Sequence, residues 1–253
     1  MSVIKGLLAK RQASKGFFAA IGGTRTSGKS TLAGTLPGKT LLLQPAGVEA
    51  GNVSPVEKAK ELGNELDMIV FDKFTGAFEI LQDPAIMDYD NIYVDGISGF
   101  TDLVYQSPEF NRKGVKNKFE AFDFLKDQSV QLIVACKKLA EDHNKNTFVT
   151  YALTKKFDSA GVEIGVEMVA KGNATKDLVE GKGGNLVIAV AIPVTGEDGK
   201  TRIERKLVTK NFGPYTARLG DLLDHQNPGV IDANLAELLR VVGRITSIKG
   251  EVA

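Results

Sequence analysis

Residues 17–31, FFAAIGGTRTSGKST, contain the pattern Gly23-x-x-x-x-Gly28-Lys29-Ser30, and the reading of this stretch decides the fold. The apolar run Phe17 to Ile21 predicts a buried strand, and Leu32 to Leu36 predicts the helix that follows, stopped by Pro37-Gly38. A glycine-rich turn between strand and helix can wrap an anion. Its N–H groups point at β- and γ-phosphates, the Lys29 ammonium neutralises them, and the Ser30 hydroxyl ligates Mg²⁺. The stretch is a Walker A pattern, and Gly23, Thr24, Arg25, Thr26, Ser27, Gly28, Lys29, Ser30 and Thr31 are its nucleotide-binding candidates. The competing reading is a glycine-rich turn without a ligand, which the strand-loop-helix context disfavours.

Working outward, Thr40 to Gln44 reads as a second buried strand, followed by a loop punctuated by Pro45, Gly47 and Gly51. Ser54-Pro55-Val56-Glu57 has the form of a capping box with proline at the first helical position, so residues 55–62 should be helical and Gly63 should end them. Met68 to Phe71 reads as a short strand and Gly76 to Leu81 as a short helix. Asp90-Asn91-Ile92-Tyr93-Val94-Asp95 is an apolar strand ending in an acid, the Walker B form. Asp95 would then hold the Mg²⁺ hydration shell beside the first loop; the bland alternative is a strand-end acid in a solvated turn.

Lys118 to Asp142 predicts a long helix and Asn146 to Leu153 the next strand. Residues 161–169, 185–194 and 200–209 are β-rich, and Gly196-Glu197-Asp198-Gly199 marks a hairpin. A last helix covers about Asn234 to Val242. The expected fold is α/β: a mostly parallel central sheet flanked by helices, with an antiparallel hairpin region near the C-terminus. No repeat or long linker divides the chain, so residues 1–253 read as one domain. Within it, 1–15 form an N-terminal extension, 16–160 the nucleotide-binding core, and 161–253 a β-rich part with the final helix.

The chain has 253 residues, 43% hydrophobic and 25% charged, enough to bury a full core. No apolar stretch approaches the ~18 residues of a membrane span. The apolar part of Met1 to Arg11 is too short for a signal-peptide core, which implies a cytoplasmic protein and no membrane partner. Cys136 is the lone cysteine and His143 and His225 are far apart, which speaks against disulfides and against a cysteine- or histidine-based metal site. A formal net charge of +1 means that any nucleic-acid binding must use a local basic patch.

Among nucleotide-binding classes, guanine recognition by [N/T]-K-x-D is disfavoured because Thr154-Lys155-Lys156 is followed by Phe157 and the acid comes one residue late, at Asp158. The expected D-x-x-G is missing as well, since Asp95 is followed by Gly96-Ile97-Ser98. Gly96 stands where an AAA+ protein has a glutamate directly after the Walker B acid. No arginine-rich lid separate from the core suggests a small-molecule kinase, although that class stays open.

In its Walker A region 21–32, its Walker B region 91–98, the segment Lys171 to Ile192 and the ending Thr209 to Leu239 with Gly213-Pro214-Tyr215-Thr216-Ala217-Arg218, the chain resembles the phage-encoded single-domain RecA-like ATPases used in single-strand annealing and recombination. The resemblance spans about residues 16–242, and only its Walker A part is sharp. It implies a RecA-like P-loop core, ATP and Mg²⁺ as ligands, a homo-oligomer or filament, single-stranded DNA and a single-strand-binding protein as partners, and the cytoplasm of a host cell as the compartment. By the same resemblance Lys29, Asp95 and an acid after the second strand would carry ATP hydrolysis. The candidate for that acid is Glu49, with a surface loop acid as its alternative reading. The pattern departs from the family where Gln44, Pro45 and Ala46 stand at the end of the second strand, and where Leu153-Thr154 replace the polar residue that senses the γ-phosphate.

Two loops hold single-stranded DNA in RecA-like proteins. Their counterparts here are Gln106 to Lys118, with Arg112, Lys113, Lys116 and Lys118 between Phe110 and Phe119, and Lys155 to Lys171, opening with Lys155, Lys156 and Phe157. Cations interleaved with aromatics suit phosphate tracking with base stacking, while a solvated basic loop is the alternative. Lys206, Lys210 and above all Arg218 are candidates for reaching a neighbouring subunit's γ-phosphate.

Overall fold

A computed structural model describes residues 16–47, 52–169, 184–196, 198–213, 215–220 and 222–246. Glu49, the extension 1–15 and most of the segment 171–192 therefore lie outside the described residues. The first half of the described chain runs β1 (Phe17–Gly23), α1 (Lys29–Leu32), β2 (Lys39–Pro45), α2 (Ser54–Leu62), β3 (Glu65–Phe71), α3 (Phe74–Gln82) and β4 (Asn91–Val94). Then come α4 (Ile97–Gln106), α5 (Pro108–Lys116), α6 (Lys118–His143), β5 (Asn146–Phe157), β6 (Glu163–Val169), β7 (Asn185–Thr195), β8 (Thr201–Val208), β9 (Val230–Asp232) and α7 (Leu235–Val241).

The strands form one sheet in the order β3-β2-β4-β5-β1-β7-β8-β9. Pairing is parallel from β3 across to β7 and antiparallel for β7 with β8 and β8 with β9. The architecture is therefore α/β, a mostly parallel sheet with an antiparallel C-terminal edge. β1 lies at its centre and is buried along its whole length, as a continuous apolar run requires when helices cover both faces. Alternate residues feed two cores. Phe18, Ala20, Leu41, Leu43, Ile92 and Val94 pack against α3, α4, α5 and α6. Phe17, Ala19, Ile21, Leu42, Tyr93 and Phe148 pack against α1 and α7.

Four local readings are corrected. The helix after the first loop is one turn, Lys29–Leu32, continued by a 3₁₀ turn over Ala33–Thr35, because the Thr35 hydroxyl donates to the Leu32 carbonyl (2.7 Å) and accepts the Leu235 N–H (2.8 Å). Ser54 is not a side-chain cap: its hydroxyl meets that of Thr31 at 3.0 Å, and Asn52 accepts its N–H instead. Gly63 does end that helix, in the left-handed conformation it tolerates without a Cβ. Residues 108–116 are helical rather than a loop, since Ser107 accepts the Phe110 N–H and Pro108 follows it, a helix start that the basic residues masked. β5 runs to Phe157, beyond Leu153, because β6 pairs antiparallel with its outer half.

Candidate nucleotide site

On the face of α1, three rows of side chains cross β2, β4 and β5 in register. Thr40, Asn91 and Asn146 form the first, Leu42, Tyr93 and Phe148 the second, and Gln44, Asp95 and Thr150 continue the same spacing at the C-terminal end. The first row is internally satisfied: Asn91 donates to Pro37 O and Thr40 Oγ1, and accepts from Asn146. It pins the strand starts. The second is apolar apart from the Tyr93 hydroxyl. The third lies where parallel α/β sheets bind ligands, outside the carboxyl ends of their strands.

Asp95 is buried, at 4% exposure, and Thr150 Oγ1 donates to its Oδ1 at 2.6 Å. Gln44 Nε2 approaches Oδ2 at 3.4 Å, a long hydrogen bond. Gln44 Oε1 is left buried with no partner. A carboxylate buried beside two polar groups costs free energy unless something offsets its charge, and a cation or a hydrated cation is the natural counterpart.

The loop from Gly23 to Gly28 closes over this end of the sheet. Lys29 Nζ donates back to Gly23 O (2.8 Å) and Thr24 O (3.0 Å), which holds the ammonium over the loop. Gly28 has φ +90°, and Thr26 takes a left-handed φ of 68°. The Ser27 hydroxyl is buried and has no hydrogen-bond partner among the described residues. Because α1 spans a single turn, its dipole is small, so an anion placed here would depend on the loop amides and Lys29. Tyr93, fully buried on β4, donates its hydroxyl to the Lys29 carbonyl at 2.6 Å and ties the helix start to the strand that carries Asp95. Burial, and then the nearby Asp95 charge, raise the Tyr93 phenol well above its ordinary pKa, so it remains a donor at neutral pH.

A cleft of about 860 Å³ joins these parts. Lys29, Thr24, Arg25, Asp95 and Thr150 line it at one end, and Thr154, Lys155 and Phe157 of β5 line it at the other. Ser98 at the start of α4 ties that helix to the β5–β6 hairpin at its Ala152–Val169 pair, donating to Val169 O (2.5 Å) and accepting the Ala152 N–H (3.3 Å). The structure thus brings Lys29, Asp95 and Lys155 into one cleft. Thr24, Arg25 and Lys29 of the loop and the Asp95 carboxylate line this cleft, a set of groups that fits a magnesium nucleotide, while Ser30, half-buried in α1, is not among the residues that line it.

Other sequence candidates lie elsewhere. Arg112, Lys113, Lys116 and Lys118 stand on α5 and the first residue of α6, and none of them lines the cleft. Arg112 meets Glu109 at 3.7 Å and Lys113 lies 5.5 Å from the Phe124 ring. Lys156 is exposed on β5. Lys206 is bonded to Asp232 (2.7 Å) and Glu204 (3.3 Å), and Lys210 to Asp224 (2.7 Å). Arg218 bridges to Leu186 through its backbone and donates its Nε to Gly184 O, near the strand ends opposite this chain's own loop. Sequence reasoning missed Tyr93 and Thr150, which bond Lys29 and Asp95 here, and weighed Gln44 only as a departure. Thr150 and Gln44 each stand two residues beyond a buried apolar side chain, Phe148 and Leu42, and that spacing was the available signal. No family model matches the chain, and comparison with curated proteins gives no match.

Proposed function

We propose that this chain is a RecA-like P-loop protein that binds ATP with Mg²⁺ and uses the bound state to control single-stranded DNA binding in phage-type recombination or annealing, as an oligomer. The observation that carries the reading is the shared cleft, in which Lys29 and Asp95 face the same space as Lys155 and Phe157. The strand order, parallel through β1 and extended by an antiparallel edge, is compatible with that core. Mg²⁺, when bound, would neutralise phosphate charge and polarise the terminal phosphoryl group. Lys29 and the loop amides hold the phosphates, Thr150 orients the Asp95 carboxylate, and Tyr93 fixes the helix start. Ser98 links the Asp95 end of the cleft to the β5–β6 hairpin that carries the cations.

A second reading rests on Gln44. The β2 side chain that reaches Asp95 is an amide, which orients water but takes no proton, so turnover is slow or the chain is a nucleotide-gated binding module. The deciding experiment is the binding and hydrolysis of Mg-ATP with and without single-stranded DNA, by the parent and by Lys29→Ala. Loss of the ammonium should weaken nucleotide binding roughly 10- to 150-fold, as expected for a charged hydrogen-bonding group. Equal binding by a folded Lys29→Ala protein overturns the nucleotide site. Hydrolysis indifferent to DNA favours an ATPase acting on protein or in DNA packaging, and turnover dependent on a small acceptor favours a phosphotransferase.

A further inference from the structure

The loop has a second side. Away from Asp95, a recess of about 600 Å³ opens between α1, α2 and the β8–β9 edge, and Gly28, Thr31, Thr35, Lys58, Arg205 and Asp232 are among the residues that form it. Arg205 lies directly on the loop: a Cβ added at Gly28 would sit 2.9 Å from Arg205 Cδ and 3.2 Å from its Nε. Its backbone is fixed from both edges of β8, paired with Ala191 on one side and accepting the Ala233 N–H on the other. On that strand Arg205 shares a face with Leu207, which packs in the same core as Leu32 of α1.

Its neighbours are committed. Arg202 pairs with Asp198 at 3.0 Å, and Lys206 with Asp232 and Glu204. Arg205 has no ion pair or side-chain hydrogen bond among the described residues. An exposed guanidinium without a counter-ion, laid across the backbone of an anion-binding loop, is placed for a ligand that this loop holds.

A polyphosphate seated in the loop has two ends. The metal-bound end belongs with Lys29 and Asp95, in the larger cleft. In a nucleotide the other end is the nucleoside, and on the side of the loop away from Asp95 the residues Gly28 and Thr31 border this recess. We propose that the recess is the nucleoside subsite and that Arg205, supplied by the same chain, stacks its planar guanidinium on the base. The inference rests on the reading of the loop as a nucleotide site, and it adds the residue that separates a nucleotide from a bare polyphosphate.

The test compares Mg-ADP, Mg-ATP and magnesium tripolyphosphate, titrated calorimetrically into the full chain and into Arg205→Ala and Arg205→Lys. Arg205→Ala should bind both nucleotides roughly 3- to 30-fold more weakly, the range of a cation–π contact, and bind tripolyphosphate as the parent does. Arg205→Lys, which keeps the charge and loses the plane, should recover only part of the nucleotide affinity. Nucleotide affinity unchanged in Arg205→Ala, or tripolyphosphate weakened as much as ADP, overturns the subsite. A parent that binds none of the three ligands overturns the nucleotide site itself. An unaltered melting temperature of the variants establishes that they are folded.

Discussion

Thr150 of β5 donates a 2.6 Å hydrogen bond to Oδ1 of Asp95, one strand away, and both side chains are buried. The bond orients a carboxylate whose other oxygen is met only by the longer contact from Gln44. A carboxylate anchored at one oxygen presents the other to a cation. Thr150→Val keeps the shape of the side chain and deletes the donor, which should destabilise the protein by about 1–3 kcal/mol and raise the Mg²⁺ concentration needed for half-maximal nucleotide binding. Asp95→Asn should raise that concentration further while retaining much of the metal-free affinity. A magnesium titration of both variants checks this, and an unaltered midpoint in Asp95→Asn would make Asp95 an ordinary strand-end acid.

Tyr93→Phe removes the buried hydroxyl that donates to the Lys29 carbonyl at 2.6 Å. The expected loss is about 1–2 kcal/mol of unfolding free energy, read as a lower urea midpoint at constant slope. Nucleotide binding should weaken with it, because the turn that presents Lys29 loses its tie to β4.

The cations assigned to DNA separate into two groups that should behave differently. Replacing Arg112, Lys113, Lys116 and Lys118 with alanine should leave ATP affinity alone, since none lines the cleft, and should flatten the salt dependence of single-stranded DNA binding by roughly 1.4–2.8 units in log–log slope if two to four phosphate contacts are lost. Replacing Lys155 and Lys156 should instead reduce the difference in DNA affinity between the ATP and ADP states, because Lys155 lines the same cleft as Lys29 and Asp95. Parental slopes in the quadruple variant would make the α5 cluster a solvated face.

Burial pushes the Cys136 thiol up to about 12. An unfolded thiol ionises near pH 8.5, so the neutral form is favoured in the folded state. This contribution is fully present below about pH 8.5 and is lost as pH rises toward 12. Urea midpoints measured from pH 8 to 10.5 should therefore fall, and Cys136→Ala should make the fall shallower. In the native parent at pH 8, thiol reagents should label Cys136 only at the rate of unfolding.

Much of the scaffold was legible locally. β1, β2, β4, α2, α6 and the β7–β8 hairpin follow from apolar runs and turn residues that act within a few positions of one another. The helix α5 is short and buries Phe110 alone among its residues, so it carries no apolar period, and the outer half of β5 depends on an antiparallel partner, β6, that lies farther along the chain. Glu49 lies outside the described residues, while Gln44 occupies the place facing Asp95.

The sequence by itself determined the loop pattern, because Gly23, Gly28, Lys29 and Ser30 stand within eight consecutive positions and combine backbone freedom, a charge and a hydroxyl. Only the tertiary structure decided what surrounds that loop. Gln44 and Thr150 reach Asp95 across separations of 51 and 55 residues, and Arg205 lies against Gly28 from β8, two strands away from β1. Those meetings depend on strand order and register, which arise when two apolar faces are buried at once, and no local pattern of residues encodes them.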